Sequence, residues 1–431
     1  MSLVVKLGKT GKQFLKNHVL PQKPPPIRYT RRIERVKTNR RICAMTFDDG
    51  PMDLPAVPDH YRGQSLTDII LDALAEFHAK GTFDVIGDTS ENYPDDPGRN
   101  GSPAWGGIRY DHYPDIRRDD RGGVVHNERL VRRILQEGHQ ITNHGYRHIL
   151  FGKKNVVYAQ RVHYGMVSRA EADLQRLDDW MRTHYGYEMT MGRPPHYVDR
   201  IAQGFTSYDL YDRLGYQYLA ASFDGGGWLP SSLRGDAAIG AEVAAMTEPM
   251  RQALERDPDF FCGQIIFQKD GYNMARRTPV ALGLPLQLEI LAQKGYEVVT
   301  VEELMEESPF ADVGREDPLF DKLCALADRR AIVYADNCLR LDQEMTQGEL
   351  AMLLAPREET IQRRWEKMQQ SGRWEDPYCG ALEWCGEMGL LPEDAQSGEP
   401  VDSLPGQLFA PVEEYTRRAV YDAFLKGMGV W

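Results

Sequence analysis

Two adjacent carboxylates, Asp48 and Asp49, follow directly after an apolar run and are the first candidates for chemistry. Residues 42–47 are mostly apolar without alternation, which is typical of a parallel strand that is buried on both faces. Gly50 and Pro51 then end the strand, so both carboxylates lie at its carboxyl end. Two adjacent acids in that place can take different tasks, one on a metal ion and one on a proton. The alternative interpretation is a solvated turn, because Asp, Gly and Pro are turn formers.

Two histidines further along the chain, His144 and His148, could supply metal ligands. Histidines four apart on a helical turn project from one face, so both imidazoles can reach one ion. Taken alone, such a pair is more often a surface feature than a ligand set. With Asp49 as the third ligand, it becomes an Asp/His/His site that leaves positions for water. The sequence therefore predicts a divalent metal site, with zinc as the expected ion.

Three short motifs occur in a specific order along the chain. They are Thr-Phe-Asp-Asp-Gly-Pro at 46–51, Asn-His-Gly-Tyr-Arg-His at 143–148, and Arg-Pro-Pro-His at 193–196. In this order the chain resembles the NodB-homology polysaccharide deacetylases, the carbohydrate esterase family four, over residues 42–305. The resemblance implies hydrolysis of an N-acetyl or O-acetyl group on an acetylated polysaccharide or oligosaccharide.

The resemblance also implies a role for each motif residue. Asp48 is expected to act as the general base, and Arg193 would hold it ionised and oriented, because a nearby cation favours the charged carboxylate. The backbone N–H of His196, after a rigid Pro-Pro, would face a developing oxyanion. The family usually has Tyr where His196 stands, but a backbone donor is indifferent to that change. A structural alternative is that Arg193 forms a surface ion pair after a strand.

Two positions depart from the family pattern. The family places an Asp directly before a Trp, but here Gly227 precedes Trp228, a predicted substrate-binding residue. The family's general-acid His is replaced by Lys269, which we expect to act as a weaker acid or to hold the oxyanion. Asp224 is close enough in sequence to substitute for the missing Asp. The prediction is a slow carbohydrate deacetylase, and the alternatives are a carbohydrate-binding pseudoenzyme or a deacylase of a non-carbohydrate amide.

Helices and strands alternate around these motifs. Apolar residues at helical spacing over 66–77 precede a strand-like run at 82–86, and the same alternation recurs further on. Such alternation indicates an α/β fold with a parallel sheet. The resemblance refines it to a distorted (β/α) barrel of about seven strands over residues 42–308.

The amino-terminal segment differs from the rest in charge. Residues 1–41 hold twelve Lys and Arg and one Glu, which gives this segment a charge of about +11. Because the net charge of the whole chain is −12, the remaining residues carry about −23. An acidic body argues against nucleic acid as a partner. Charge and prolines predict that residues 1–41 form a flexible arm. The apolar run 3–5 is too short for a secretory signal, so we expect a cytoplasmic protein, or a cell-wall or extracellular one if an export segment is missing.

The carboxyl-terminal region, residues 309–431, is predicted to be a smaller, mostly helical domain. Two stretches, 310–351 and 376–401, resemble degenerate S-layer homology repeats, which implies binding to a cell-wall polymer. A plain helical packing domain is the alternative.

Overall fold

The computed structural model describes residues 28–56, 63–88, 121–151, 163–201, 205–273, 275, 277–332, 336–371, 379–390 and 411–427. Its strands are β1 (Arg32–Ile33), β2 (Ile42–Asp48), β3 (Gly81–Val85), β4 (Gln140–Asn143), β5 (Leu150–Phe151), β6 (His163–Tyr164), β7 (Met191–Gly192), β8 (Gln217–Leu219), β9 (Phe223–Asp224), β10 (Ile265–Lys269), β11 (Glu297–Val299), β12 (Glu344–Thr346) and β13 (Pro411–Thr416). Its α-helices are α1 (Leu66–Glu76), α2 (Glu128–Gln136), α3 (Val167–Tyr185), α4 (Ser207–Leu214), α5 (Asp236–Arg256), α6 (Val280–Gln293), α7 (Val301–Glu307), α8 (Phe320–Asp328), α9 (Gln347–Leu354), α10 (Arg357–Ser371), α11 (Cys379–Glu387) and α12 (Arg417–Gly427).

A nine-stranded parallel sheet forms the body of the chain. Its order is β1-β8-β7-β4-β3-β2-β10-β9, and β11 pairs with the beginning of β2. All seven residues of β2 are buried, as its unbroken apolar sequence predicted. The sheet and its helices confirm the predicted distorted (β/α) barrel, with nine strands where about seven were expected.

The register of the strands brings polar residues to one edge of the sheet. Asp48 pairs with Asp84 of β3 on one side and with Lys269 of β10 on the other. Asn143, the last residue of β4, pairs with Gly192, the last residue of β7. Because parallel strands all end at the same edge, the residues that follow β4 and β7 reach the same place as the carboxylates of β2.

Part of the basic amino-terminal segment is built into this sheet. β1 pairs in parallel with β8, and Ile33 is fully buried. The N–H of Val36 donates to the carbonyl of Gly263 at 2.9 Å. The prediction of a flexible arm is therefore wrong for residues 28–41, where buried apolar side chains stabilise the segment despite its charge. Residues 1–27 lie outside the described residues.

The region after residue 308 is mostly helical, as predicted. Its helices α8 and α12 pack in a core that runs from Phe310 to Leu425, and β12 pairs with β13 in antiparallel fashion. A second cluster joins α9 and α11 to Tyr29 of the amino-terminal segment. The resemblance to S-layer homology repeats, and the division into domains at residue 308, stay predictions. In the part of the chain that the structure describes, no helix is both long and apolar enough to cross a bilayer.

Candidate active site

A cavity of about 590 Å³ opens at the carboxyl edge of the sheet. Seven of the eight predicted site residues line it: Asp48, Asp49, His144, His148, His196, Trp228 and Lys269. The eighth, Arg193, is fully buried and reaches the same place from behind Asp48. The structure therefore brings together residues that are far apart in the sequence.

The predicted metal ligands form a compact group. Oδ1 of Asp49 lies 3.2 Å from Nε2 of His144 and 3.0 Å from Nε2 of His148. All three side chains are buried, and their ligand atoms lie within 4.8 Å of one another. One carboxylate oxygen and two imidazole nitrogens facing each other are a donor set that suits a divalent ion such as zinc. These residues fit the predicted ion.

The two histidines do not lie on a helical turn, so that part of the prediction is wrong. Residues 144–148 form an irregular bend between β4 and β5, and His148 has a positive φ of 50°. Asp173 of α3 holds the bend, because its carboxylate accepts the N–H of Tyr146 at 2.8 Å and that of Arg147 at 3.2 Å. The imidazoles meet through these tertiary hydrogen bonds rather than through helical periodicity.

Asp84 is a site residue that the sequence reasoning missed. Its side chain is completely buried, with Oδ2 at 2.7 Å from Nδ1 of His144 and Oδ1 accepting from Thr142 at 2.6 Å. The carbonyl of Arg193 lies 2.8 Å from the same Nδ1. Burial acts to lower the pKa of His144, but Asp84 and Asp49 outweigh it and raise that pKa above its ordinary value. A carboxylate inside an otherwise apolar strand was the signal that could have identified Asp84.

Asp48 and Arg193 form the predicted pair. Nη1 of Arg193 contacts Oδ1 of Asp48 and also donates to Thr46 at 3.1 Å. Backbone carbonyls fix the rest of the guanidinium, with Nε donating to Leu219 at 3.3 Å and Nη2 to Ala220 at 3.2 Å. Burial raises the pKa of Asp48 to about 7, while Arg193 opposes the shift by favouring the ionised form. A carboxylate that titrates near neutrality and is held in one orientation suits general-base chemistry.

Lys269 contacts the metal-ligand group directly. It is buried at the end of β10, and its Nζ contacts Oδ2 of Asp49. The two histidines contact the other oxygen of this carboxylate, Oδ1. Asp49 therefore has a cation on one oxygen and imidazoles on the other.

His196 lies at the wall of the cavity in a strained conformation. It belongs to a 3-10 turn at Pro195–Tyr197, and its φ is +56°. Its ring lies 5.7 Å, centroid to centroid, from that of His148. A non-glycine residue with positive φ is uncommon and occurs at functional sites when the surroundings hold it.

Comparison with known proteins identifies the family of this region. The family model named polysaccharide deacetylase matches residues 35–218, which contain Asp48, Asp49, His144, His148 and Arg193. Residues 35–218 match a polysaccharide deacetylase domain. The fold and these motifs were thus correctly predicted from the sequence.

Curated relatives of the chain are peptidoglycan deacetylases by name. The peptidoglycan-N-acetylglucosamine deacetylase PgdA of Listeria monocytogenes is 24% identical over 290 residues, 67% of this chain and 43% of the relative. The peptidoglycan-N-acetylmuramic acid deacetylase PdaC of Bacillus subtilis is 25% identical over 182 residues, 42% of this chain and 27% of the relative. The chain thus spans less than half the length of either relative.

Two solved structures illustrate what the chain is similar to. The structure of PdaC from Bacillus subtilis is 21% identical, with 68% of this chain and 98% of that chain covered and a TM-score of 0.39. BA3943, a CE4 family pseudoenzyme from Bacillus anthracis, is 13% identical, with 66% of this chain and 70% of that chain covered and a TM-score of 0.36.

Gly227 occupies the position before Trp228 where the resemblance led us to expect an Asp. Its φ is +83°, and a Cβ there would lie 3.0 Å from Val280 and 3.2 Å from Met246, so an Asp at this position would be strained. Asp224 contacts the tryptophan instead, accepting from its Nε1 at 2.9 Å. This carboxylate orients the indole at the cavity wall.

Proposed function

We propose that this protein hydrolyses the N-acetyl group of an amino sugar in peptidoglycan, with a divalent ion held by Asp49, His144 and His148. The observation that carries the proposal is that this ligand group and the Asp48–Arg193 pair open on one cavity. The names of the curated relatives support peptidoglycan as the substrate. Zinc is the ion we propose, because two imidazoles and one carboxylate form a typical catalytic zinc set.

An ion in this place supplies Lewis-acid chemistry, polarising the acetyl carbonyl and making water more acidic. The ligands that hold it are themselves fixed, His144 by Asp84 at 2.7 Å and His148 through the bend that Asp173 holds. Hydrogen bonds to the second nitrogen of a ligating imidazole set its orientation and increase its basicity.

Asp48 takes the proton of the attacking water in this proposal. Its carboxylate is at the cavity wall, and Arg193 restricts it to one orientation. The pKa of Asp48, raised to about 7 by burial, makes it a stronger base than an ordinary Asp while leaving it ionised above neutrality. The backbone N–H of His196 is the proposed donor to the oxyanion.

Lys269 is the proposed donor to the departing amine. An ammonium is a weaker acid than an imidazolium, so protonation of the leaving group is slower than with the family's His. Since general acid catalysis accelerates a reaction by a factor of about 10² to 10⁴, we expect the rate of acetate release to be lower by a factor on that scale.

A second candidate function is glycan binding without turnover, and the Lys269–Asp49 contact favours it. A lysine held by a metal-ligand carboxylate competes with the ion for Asp49 and is less available as a proton donor. The Trp228 face and the cavity would still bind a sugar ring.

Acetate release tests the two candidates against each other. The purified protein is incubated with peptidoglycan and with chitin oligosaccharides, before and after chelation, and again after zinc is restored. The proposed deacetylase releases acetate slowly, stops with chelator and recovers with zinc. Acetate release by Lys269→His but not by the wild type would favour the binding function, and no release by either would reject the deacetylase.

Location and wall binding are further parts of the proposal. Peptidoglycan lies outside the cytoplasmic membrane, so we propose that the protein acts at the cell wall. We also propose that the carboxyl-terminal region binds a wall polymer. Met388 and Leu390, 58% and 44% exposed, are surface positions there. Replacing both with Ser should lower the amount of protein that sediments with purified wall, and unchanged sedimentation would argue against this surface.

A further inference from the structure

Arg32 brings a positive charge into the cavity from the segment that precedes the deacetylase motifs. It lies on β1, where it pairs with Tyr218 of β8, and it is one of the residues that line the cavity with Asp48 and the metal-ligand group. The sequence assigned this arginine to a flexible arm. The pairing of β1 with β8 is what places it at the site.

Aromatic rings hold the guanidinium in position. Its Cζ lies 5.3 Å from the centre of the Tyr218 ring and 5.9 Å from that of Tyr197. The Tyr197 ring also lies 5.3 Å from the guanidinium of Arg193, which contacts Asp48. Guanidinium groups over aromatic faces are stabilised there. Arg32 is thus one aromatic ring away from the group that orients the proposed base.

The other cations at this place are already paired inside the site. Arg193 contacts Asp48, and Lys269 contacts Asp49. Arg32 instead pairs with Glu34 at 3.0 Å, and the two side chains are 32% and 36% exposed. A half-exposed ion pair of this kind contributes little free energy, so a ligand can replace it at small cost.

The guanidinium of Arg32 has donors for another anion. Glu34 accepts its Nε–H. Because a guanidinium carries five N–H donors, this contact does not exhaust it. Its planar fork matches a carboxylate bidentately, which makes arginine selective for that group.

We propose that Arg32 binds a carboxylate of the substrate, so that the site prefers glycans containing an acidic amino sugar. This rests on the proposed deacetylase function and narrows it. In peptidoglycan the carboxylate is the lactyl group of muramic acid or an acid of the attached peptide. A chitin oligosaccharide offers neither.

Binding measured without turnover tests this assignment. The full chain with Asp48→Asn is titrated calorimetrically with three ligands: a muramic acid disaccharide with a free lactyl carboxylate, the same disaccharide with a peptide amide-linked there, and a neutral chitin disaccharide. Each titration is repeated with Arg32→Gln and Arg32→Lys added. Arg41→Gln, which removes an exposed arginine that pairs with Asp259, is the control of equal charge.

Arg32→Gln should weaken binding of the acidic ligands by about 10- to 100-fold, as for loss of a hydrogen bond to a charged group, and leave the chitin disaccharide unchanged. Arg32→Lys should recover part of the loss, because charge remains but the bidentate fork does not. A preference for the free lactyl acid or for the peptide form tells which carboxylate is bound.

The assignment would be overturned if Arg32→Gln lowered the affinity for acidic and neutral ligands equally, or if it did not lower the affinity for the acidic ones. It would also be overturned if Arg41→Gln lowered that affinity by the same factor. Unfolding temperatures of the variants identify a folding defect, in which case Arg32→Lys carries the comparison. The result is independent of the proposed reaction. If the wild type releases no acetate while Arg32→Gln weakens the binding of acidic ligands, the deacetylase function is disproved and the carboxylate site is retained.

Discussion

The molecule contains two buried clusters, each made of acidic and basic side chains, and the two clusters have different roles. The site cluster consists of Asp48 and Asp49 with Arg193 and Lys269, beside the two histidines. The interface cluster consists of Asp209 and Asp212 of α4 with Arg28 and Arg364. The first opens on a cavity, whereas the second joins the amino-terminal segment and α10 to the barrel.

The two clusters differ in the strain of their backbone, while buried carboxylates with raised pKa values occur in both. In the interface cluster, burial acts to raise the pKa of Asp209, but Arg364 and Arg28 together bring it below the ordinary value. For Asp212 in the same cluster, burial prevails and the pKa is raised. In the site cluster, burial exceeds the effect of Arg193 and the pKa of Asp48 rises to about 7. The site cluster also has positive φ angles at Asp49 and His148, of 79° and 50°. Backbone strain beside a cavity therefore distinguishes the site cluster from the cluster that joins segments.

The largest expected effect is on turnover. Asp48→Asn should lower the rate of acetate release by about 10² to 10⁴, because the base is lost. In the wild type the base works when ionised, so the rate should fall as pH decreases through about 7, the pKa to which burial raises Asp48. Rates measured from pH 5 to 9 check both. Asp209→Asn, in the interface cluster, is the control, and an equal loss there would remove the distinction between the clusters.

The next effect is on stability and belongs to the interface cluster. Arg364→Ala leaves Asp209 and Asp212 buried without their main cation, so the free energy of unfolding should fall by about 3–5 kcal/mol. Urea unfolding measures it. Arg363→Ala is the control, since its partners Glu359 and Glu387 are exposed and such pairs are worth about 0–1 kcal/mol. A similar decrease in the free energy of unfolding for both variants would show that the interface cluster stabilises the fold no more than an exposed ion pair does.

The interface cluster is one of several contacts that join the carboxyl-terminal region to the barrel. The structure places Trp365 in the main core, where its ring lies 5.5 Å from that of Phe205. The carbonyl of Phe310 accepts from the backbone N–H of Lys37 at 2.8 Å. A truncated chain would expose this surface and leave Asp209 without Arg364, so point variants are the better test of function.

A smaller effect is expected at Asp84, which supports the site cluster from behind. Asp84→Asn removes the charge beside Nδ1 of His144 and should weaken zinc binding by about 10- to 100-fold, as for other partners of ligating histidines. Isothermal titration of the metal-free protein gives the affinity. Asp224→Asn is the control, because that carboxylate lies at the same cavity but bonds to Trp228. Unchanged affinity in Asp84→Asn would exclude the positioning role.

Local signals predicted the parts of the site that lie in one strand or motif. The apolar run of β2 and its two terminal carboxylates were evident from residue type, and the family motif placed Arg193 beside Asp48. The bend at 144–148 was not evident, because it depends on hydrogen bonds that its backbone N–H groups donate to Asp173 of a later helix. Long-range contacts of this kind leave no periodic pattern in the sequence.

The same limit explains the residues that were missed or assigned differently. Arg32 looked like part of a charged arm because its pairing with β8 spans almost two hundred positions. Lys269 was expected near the ion, but its contact with Asp49 needed the register of β10 against β2. Asp84 was visible as a charge in an apolar strand, yet its partner His144 lies on the next strand's end.

The number of divalent ions bound per chain decides whether Asp49, His144 and His148 form a metal site. The protein is stripped with chelator, reloaded with zinc, dialysed and measured by elemental analysis, alongside the double variant His144→Ala with His148→Ala and the interface variant Asp209→Asn. We expect one ion per chain in the wild type and in Asp209→Asn, and none in the double variant. A double variant that keeps its ion, or a wild type that binds none, would contradict the proposed metal site.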